Sequence, residues 1–289
     1  MAACLGELVT ANMSFALISP FFPIYAPTVG LNLGDTSLIF GAMSFAQLLT
    51  SPLTGPAITV FGRRRTLLVG AALLTVSGTA FGVVPPLLDQ GTAALTGVAA
   101  PWLREVLVAL RLVQGIGAAL TTTCVFAVLA DAFPDSVGKV MGAAELAAGL
   151  GWTLAPPLGG VMYSAGGYSL PFTVFGPMPL CFVLVVLLLY PKDIVQTARE
   201  VTDAAAAKRA LPPAYQRVWS LGSVGLCLTA AITCMPFSIW SCFDVGFTVW
   251  FVDEFEYSVL TATLFFTIAP ATYSTCHPPH ITRINHTRT

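Results

Sequence analysis

Long apolar runs separated by short polar breaks organise this chain. They can be drawn at about 5–28, 36–60, 66–86, 104–130, 139–164, 170–190, 219–250 and 256–275. A helix needs ~20 residues to cross a hydrocarbon core of about 30 Å, so each run is long enough to span a bilayer. The pattern predicts eight transmembrane helices. Two of them, within Leu103 to Tyr163, are joined by the polar hinge Asp131 to Lys139 and carry one notable charge each, Arg111 and Glu145. A charge in hydrocarbon is expensive, which makes both functional candidates.

Helical spacing sharpens the two segments. Arg111, Gln114, Gly115, Ala118 and Thr122 share one face, and Glu145, Ala148, Gly149, Trp152 and Pro156 share another. Gly142, Gly149, Gly151, Gly159 and Gly160 allow backbones to approach closely. Pro156-Pro157 is expected to bend or loosen its helix.

Composition agrees with the pattern. Of 289 residues, 56% are hydrophobic and only 9% charged, against about a quarter charged in a soluble domain. Mean hydropathy is +0.81, so the chain is expected to be an all-α, multi-pass integral membrane protein. A net charge of -1 offers no electrostatic footprint for nucleic acid. The basic residues are placed with a bias. With the N-terminus inside, eleven of the 13 fall on the cytoplasmic side, and the other two, Arg104 and Arg111, belong to the fourth helix. Both termini are therefore expected to be cytoplasmic.

The seven cysteines form no CxxC pair and lie in or just beyond apolar runs, so free, buried thiols are expected. The histidines, His277, His280 and His286, all fall in the polar tail, and no metal site is expected. No Walker-type nucleotide loop, nucleophile elbow or zinc-helix pair occurs, which argues against an enzyme.

Several motifs resemble a known family. Arg111-Leu-Val-Gln114-Gly115 and Gly149 through Pro156-Pro157-Leu-Gly159-Gly160 resemble the fourth- and fifth-helix motifs of major facilitator superfamily antiporters. The stretch Gly55 to Arg65, with Gly62, Arg63 and Arg64, is similar to the superfamily's signature loop, with Thr59 where an acid usually stands. Leu129-Ala-Asp-Ala-Phe-Pro134 and Gly160-Val-Met-Tyr163 resemble the vesicular amine transporter family, closest to its polyamine branch. Asn12-Met13, followed by Pro20-Phe-Phe-Pro23, is similar to that family's first helix, but Ala11 stands where the monoamine members carry an acid.

The resemblance implies an N-terminal six-helix bundle over 1–190, a cytoplasmic linker over 191–218, helices seven and eight of an incomplete second bundle over 219–275, and a polar tail over 276–289. It covers about residues 5–275, roughly two-thirds of a twelve-helix transporter, so the chain looks C-terminally truncated. It also implies a proton-coupled antiporter of small organic cations in a secretory or synaptic-type vesicle membrane, with a proton gradient and no cofactor as the driving force. Two alternatives stand beside it: another superfamily cargo, or a non-transporting chain that binds a full-length partner or associates with itself.

The candidate site residues carry alternatives of their own. Glu145 either couples protons to substrate, staples its helix to a neighbour, or lies near the cytoplasmic rim, six residues after Lys139. Arg111 either sets the protonation of a nearby carboxylate or binds carbonyls. Glu7 either faces the bundle or sits among headgroups, and Asp244 either binds a cationic nitrogen or lies at the outer surface. Trp152, Tyr163, Tyr25 and Trp240 could face a cation, while interfacial belts account for Tyr25 and Tyr163.

Overall fold

The computed structural model describes residues 1–96 and 102–189, and every regular element among them is helical. The helices are α1 Ala2–Ala16, α2 Phe22–Tyr25, α3 Leu33–Phe61, α4 Arg63–Thr96, α5 Leu103–Ala132, α6 Val137–Gly166, α7 Ser169–Phe175 and α8 Met178–Leu189. The seventh and eighth expected spans, the linker, the tail, Asp244 and Trp240 lie outside the described residues.

Where a run carries a clear start or stop, the sequence reading and the structure agree. The runs at 104–130 and 139–164 become α5 and α6, each end moving outward by no more than two residues. The start of α3 is fixed by a capping box, in which Asn32 accepts from the Asp35 backbone N–H and the Asp35 carboxylate accepts from that of Asn32. Its end is set by Gly62 at φ +81, a conformation that favours glycine.

Two expected spans are broken instead. Pro20 has no N–H and its ring crowds the carbonyl one turn back, so α1 ends at Ala16. The chain then turns, resumes as α2, and tightens into a 3₁₀ turn over Ala26–Val29. Pro177 separates α7 from α8 in the same way. Pro156 and Pro157 behave differently, because α6 runs through them without a break. Four helical stretches among the described residues are long and apolar enough to cross a membrane: Leu33–Ile58, Arg63–Leu87, Leu103–Ala132 and Ser169–Leu189. At 15 residues α1 is too short for that by itself. In α6 glycine and proline dilute an otherwise sufficient length.

The segments cross back and forth as a bundle. On one side α5 packs between α3 and α4, and on the other α1 packs between α6 and α8. The two sets join where α4 meets α7 and α8 and where α1 meets α5. Glycines set the closest approaches. A Cβ at Gly117 of α5 would lie 2.7 Å from both Gly70 O and Leu74 N of α4, and one at Gly159 of α6 would lie 2.6 Å from Leu17 O. A Cβ at Gly115 would run into the Met43 carbonyl of α3, and one at Gly151 into the Val9 carbonyl of α1. These are backbone-to-backbone contacts of the kind that hold membrane helices together where no hydrophobic force acts between them.

Each end of the bundle has its own chemistry. Towards the end with Arg63, Arg64, Arg65 and Lys139, the core is aliphatic, built on Leu8, Leu67, Val125, Leu129 and Val183. Here Arg63 forms an ion pair with Asp131, tying the α3–α4 junction to the end of α5. At the opposite end the core is aromatic, and Arg104 pairs with Asp35 at 3.4 Å and Glu105 at 2.7 Å. Of the described cysteines, Cys4 and Cys124 are buried as expected, but Cys181 is exposed because it lies on the outer face of α8.

The glycine contacts give a direct stability prediction. Gly117→Ala drives a methyl into backbone on two sides and should cost about 1–3 kcal/mol, while Gly142→Ala, which meets nothing within 4 Å, should be neutral or slightly stabilising. Thermal midpoints of the two variants in detergent check this. Equal midpoints would mean that α4 and α5 are not in backbone contact.

Candidate functional site

Among the described residues Arg111 is the largest fully enclosed side chain, 2% exposed at the junction of α3, α4 and α5. The glycines that draw these helices together also close water out around it. Its Nη1 donates to Gln114 Oε1 at 2.8 Å, one turn along the same face, and lies 3.2 Å from Met43 Sδ. The guanidinium carbon sits 4.4 Å from the centroid of the Phe81 ring. Nε and Nη2 have no hydrogen-bond partner among the described residues. The charge is thus met by an amide, a polarisable sulfur and an aromatic face, with no carboxylate paired to it among those residues.

This settles part of the sequence reading. Arg111, Gln114, Gly115 and Ala118 do share the buried face of α5, which continues through Thr121 rather than Thr122. Gln114 packs against Gly78, where a Cβ would lie 3.3 Å from its Nε2. The alternative in which Arg111 binds carbonyls is replaced by Gln114 and Phe81. Phe81 was not singled out from sequence because an isolated phenylalanine in an apolar run carries no signal of its own.

The second cluster lies on the seam between α1 and α6. Trp152 Nε1 donates to Asn12 Oδ1 at 2.9 Å, and Asn12 Nδ2 donates to the Leu8 carbonyl at 2.7 Å. The Phe15 ring meets Trp152 at 4.7 Å between centroids. Gly151 and Gly159 bring the two helices close enough for these bonds.

The two carboxylates have opposite settings. Glu7 faces the bundle, with 0% exposure, and both of its oxygens are buried without a hydrogen-bond partner among the described residues. Of its two orientations, Glu7 thus takes the one that faces the bundle. Glu145 is exposed on α6 and makes no ion pair among those residues, so it neither staples helices together nor approaches Arg111. The reason is rotational: Ala144 and Ala147 take the buried face of α6, and Glu145 falls to its flank. Of the motif residues, Pro156, Gly159 and Gly160 are buried, Gly149 and Pro157 are half-buried, and Gly62, Arg63 and Arg64 lie at the basic end.

Tyr25 and Tyr163 are each engaged by another ring: Tyr25 stacks on Tyr168 at 4.0 Å and Tyr163 on Phe21 at 5.1 Å. Tyr168 donates to the Phe81 carbonyl at 3.1 Å, so the aromatic cluster continues to the ring beneath Arg111. Among the described residues no cluster of His, Cys, Asp and Glu is arranged to hold a metal ion.

Comparison with known proteins gives a consistent picture. Residues 8–281 match the family model of the Major Facilitator Superfamily. The chain is 28% identical over 269 residues to the "MFS-type transporter SLC18B1" of Rattus norvegicus, covering 92% of this chain and 53% of that protein. It is 26% identical over 204 residues to the vesicular acetylcholine transporter of the same species, covering 70% of this chain and 33% of that one. It thus spans about half the length of the SLC18B1 relative. The crystal structure of a D-xylose-proton symporter shares the fold at TM-score 0.54 and 18% identity, over 94% of this chain and 65% of that one.

The Arg111 enclosure is open to test. Phe81→Leu keeps an apolar side chain but removes the ring face, and should lower stability by about 2 kcal/mol, the scale of a desolvated cation–π contact. The thermal midpoint in detergent reads this. A midpoint equal to that of the unaltered protein would leave the charge of Arg111 to be accounted for by Gln114 alone.

Proposed function

This chain belongs to the Major Facilitator Superfamily, and from that premise we propose that it exchanges protons for small organic cations, polyamines or related amines, across a vesicle membrane. The observation that carries the reading is Glu7. An ionised carboxyl enclosed in an apolar bundle with no hydrogen-bond partner among the described residues costs several kcal/mol, so its charge must be cancelled. Either a proton or a cation can cancel it, and a site that accepts one in place of the other is an exchanger. Glu145 supplies a second carboxylate, placed where a substrate can reach it from outside the bundle.

Other features fit this cycle. A guanidinium does not give up its proton, so Arg111 acts as a fixed charge and not as a proton carrier. One relative is named for acetylcholine, a small organic cation. The end of the bundle that holds Arg63, Arg64, Arg65 and Lys139 faces the cytoplasm in this reading, with both termini on that side. The opposite end then faces an acidic lumen, and protons leaving the lumen down their gradient drive cation entry into the vesicle.

The test uses acidic vesicles from cells that express the protein. Glu7→Gln and Glu145→Gln keep side-chain shape and lose the ability to ionise. Gradient-driven uptake of labelled spermidine should be saturable, and each variant should reduce it to background while membrane levels of the protein stay the same. Uptake with unchanged pH dependence in both variants would contradict the exchange reading.

A further inference from the structure

Arg63, Arg64 and Arg65 open α4 directly after the turn at Gly62, and they are used differently. Arg63 pairs with Asp131 at the end of α5. Arg64 and Arg65 are exposed and form no ion pair among the described residues. The first turn of α4 holds no acidic residue to offset them.

Exposed apolar side chains stand on both sides of this pair of charges. Just before the turn, Val60 and Phe61 are 74% and 62% exposed. Just after it, Arg65, Val69, Ala72 and Val76 fall at i, i+4, i+7 and i+11 and so share one face of α4. On that face Val69 and Val76 are exposed and Ala72 is half-buried. Val83, further along the same face, is half-buried again, so the open stripe runs only from Arg65 to Val76. That distance is about 16 Å at 1.5 Å per residue, and one leaflet of a hydrocarbon core of about 30 Å is about 15 Å deep. The stripe has the length of one acyl layer and carries a cation at its outer end.

We propose that the α3–α4 junction is a docking surface for an anionic phospholipid of the leaflet that meets the basic end of the bundle. Arg64 and Arg65 take its phosphate and headgroup charge, since a guanidinium matches phosphate through two parallel N–H groups. An acyl chain lies along Val69 and Val76. An acidic protein segment would match the two charges but not the apolar side chains beside them, whereas an anionic lipid carries both in one molecule. Beside the Arg63–Asp131 pair, the lipid is a second fastening of the junction, made from outside the bundle. This surface is independent of the exchange reading and needs only that the basic end stands at headgroup level.

The full chain, purified in a neutral detergent, is titrated with phosphatidylserine or with phosphatidylcholine. Bound lipid is counted by native mass spectrometry, and the thermal midpoint is followed in parallel. Each arginine near an anionic headgroup contributes about fivefold in affinity, so phosphatidylserine should bind about 25-fold more tightly than phosphatidylcholine and should raise the midpoint. Arg64→Gln and Arg65→Gln should each remove about fivefold of that preference, and the double variant nearly all of it. Replacing both by lysine keeps the charge and should retain most of the preference, which separates loss of the surface from failure to fold. Lys139→Gln, an exposed cation at the same end but on α6, should leave the preference within about twofold. Glycerophosphoserine, which has the headgroup and no acyl chains, should not raise the midpoint. A preference for phosphatidylserine that survives the double glutamine variant, or that falls as much in Lys139→Gln as in Arg65→Gln, overturns the docking surface. A midpoint raised as much by glycerophosphoserine as by the lipid also overturns it, since the anion alone would then suffice. None of these readouts involves transport, so their failure leaves the exchange reading untouched.

Discussion

Backbone contact between helices is the constraint on which the rest of the structure depends. In hydrocarbon the lipid tails are as apolar as leucine, so helices associate through packing and hydrogen bonding and not through escape from water. Gly115 and Gly117 press α5 against α3 and α4, and Gly151 and Gly159 press α6 against α1. A single methyl at any of them meets main chain that has nowhere to go. From these contacts follow the enclosure of Arg111, the reach of Trp152 to Asn12 and the burial of Glu7.

The same environment explains how polar side chains are handled. Thr10, Ser14, Thr36, Thr54, Thr66, Ser77, Thr121 and Thr153 each return their hydroxyl to a carbonyl one turn back, so a polar atom is satisfied within its own helix. The Thr79 hydroxyl, Arg63 Nε, the carboxyl of Glu7 and two nitrogens of Arg111 are buried without such a partner among the described residues. Of these, the Glu7 carboxyl is the group whose charge a single proton can cancel.

How much of this was legible in the sequence depends on the kind of signal. The limits of α5 and α6 were, because a polar hinge with Pro134 and Lys139 separates two runs of clear length. The buried face of α5 was also legible, since arginine, glutamine and glycine at helical spacing leave few alternatives in a membrane. The breaks at Pro20 and Pro177 were harder to place, because Pro52, Pro56, Pro85, Pro86, Pro156 and Pro157 all sit within continuous helices. Whether a proline breaks a helix depends on what re-satisfies the freed carbonyl, which is a property of its neighbours in space. The setting of the charges was illegible for a similar reason. Glu145 had the stronger case from sequence and is exposed, while Glu7 had the weaker case and is fully enclosed, because rotation about the helix axis is set by which glycines meet which backbone. Phe81, Tyr168 and Met43 were not distinguishable from ordinary apolar residues until the helices were brought together.

Exchange of a proton for a cation is the central claim, and proton movement itself is its most direct measure. Vesicles that contain the protein are acidified, the proton pump is then blocked, and spermidine is added outside while lumenal pH is followed with an entrapped dye. The account predicts a saturable rise in lumenal pH as spermidine enters and protons leave, absent from vesicles lacking the protein. Spermidine entry at the same rate with no change in lumenal pH would contradict it.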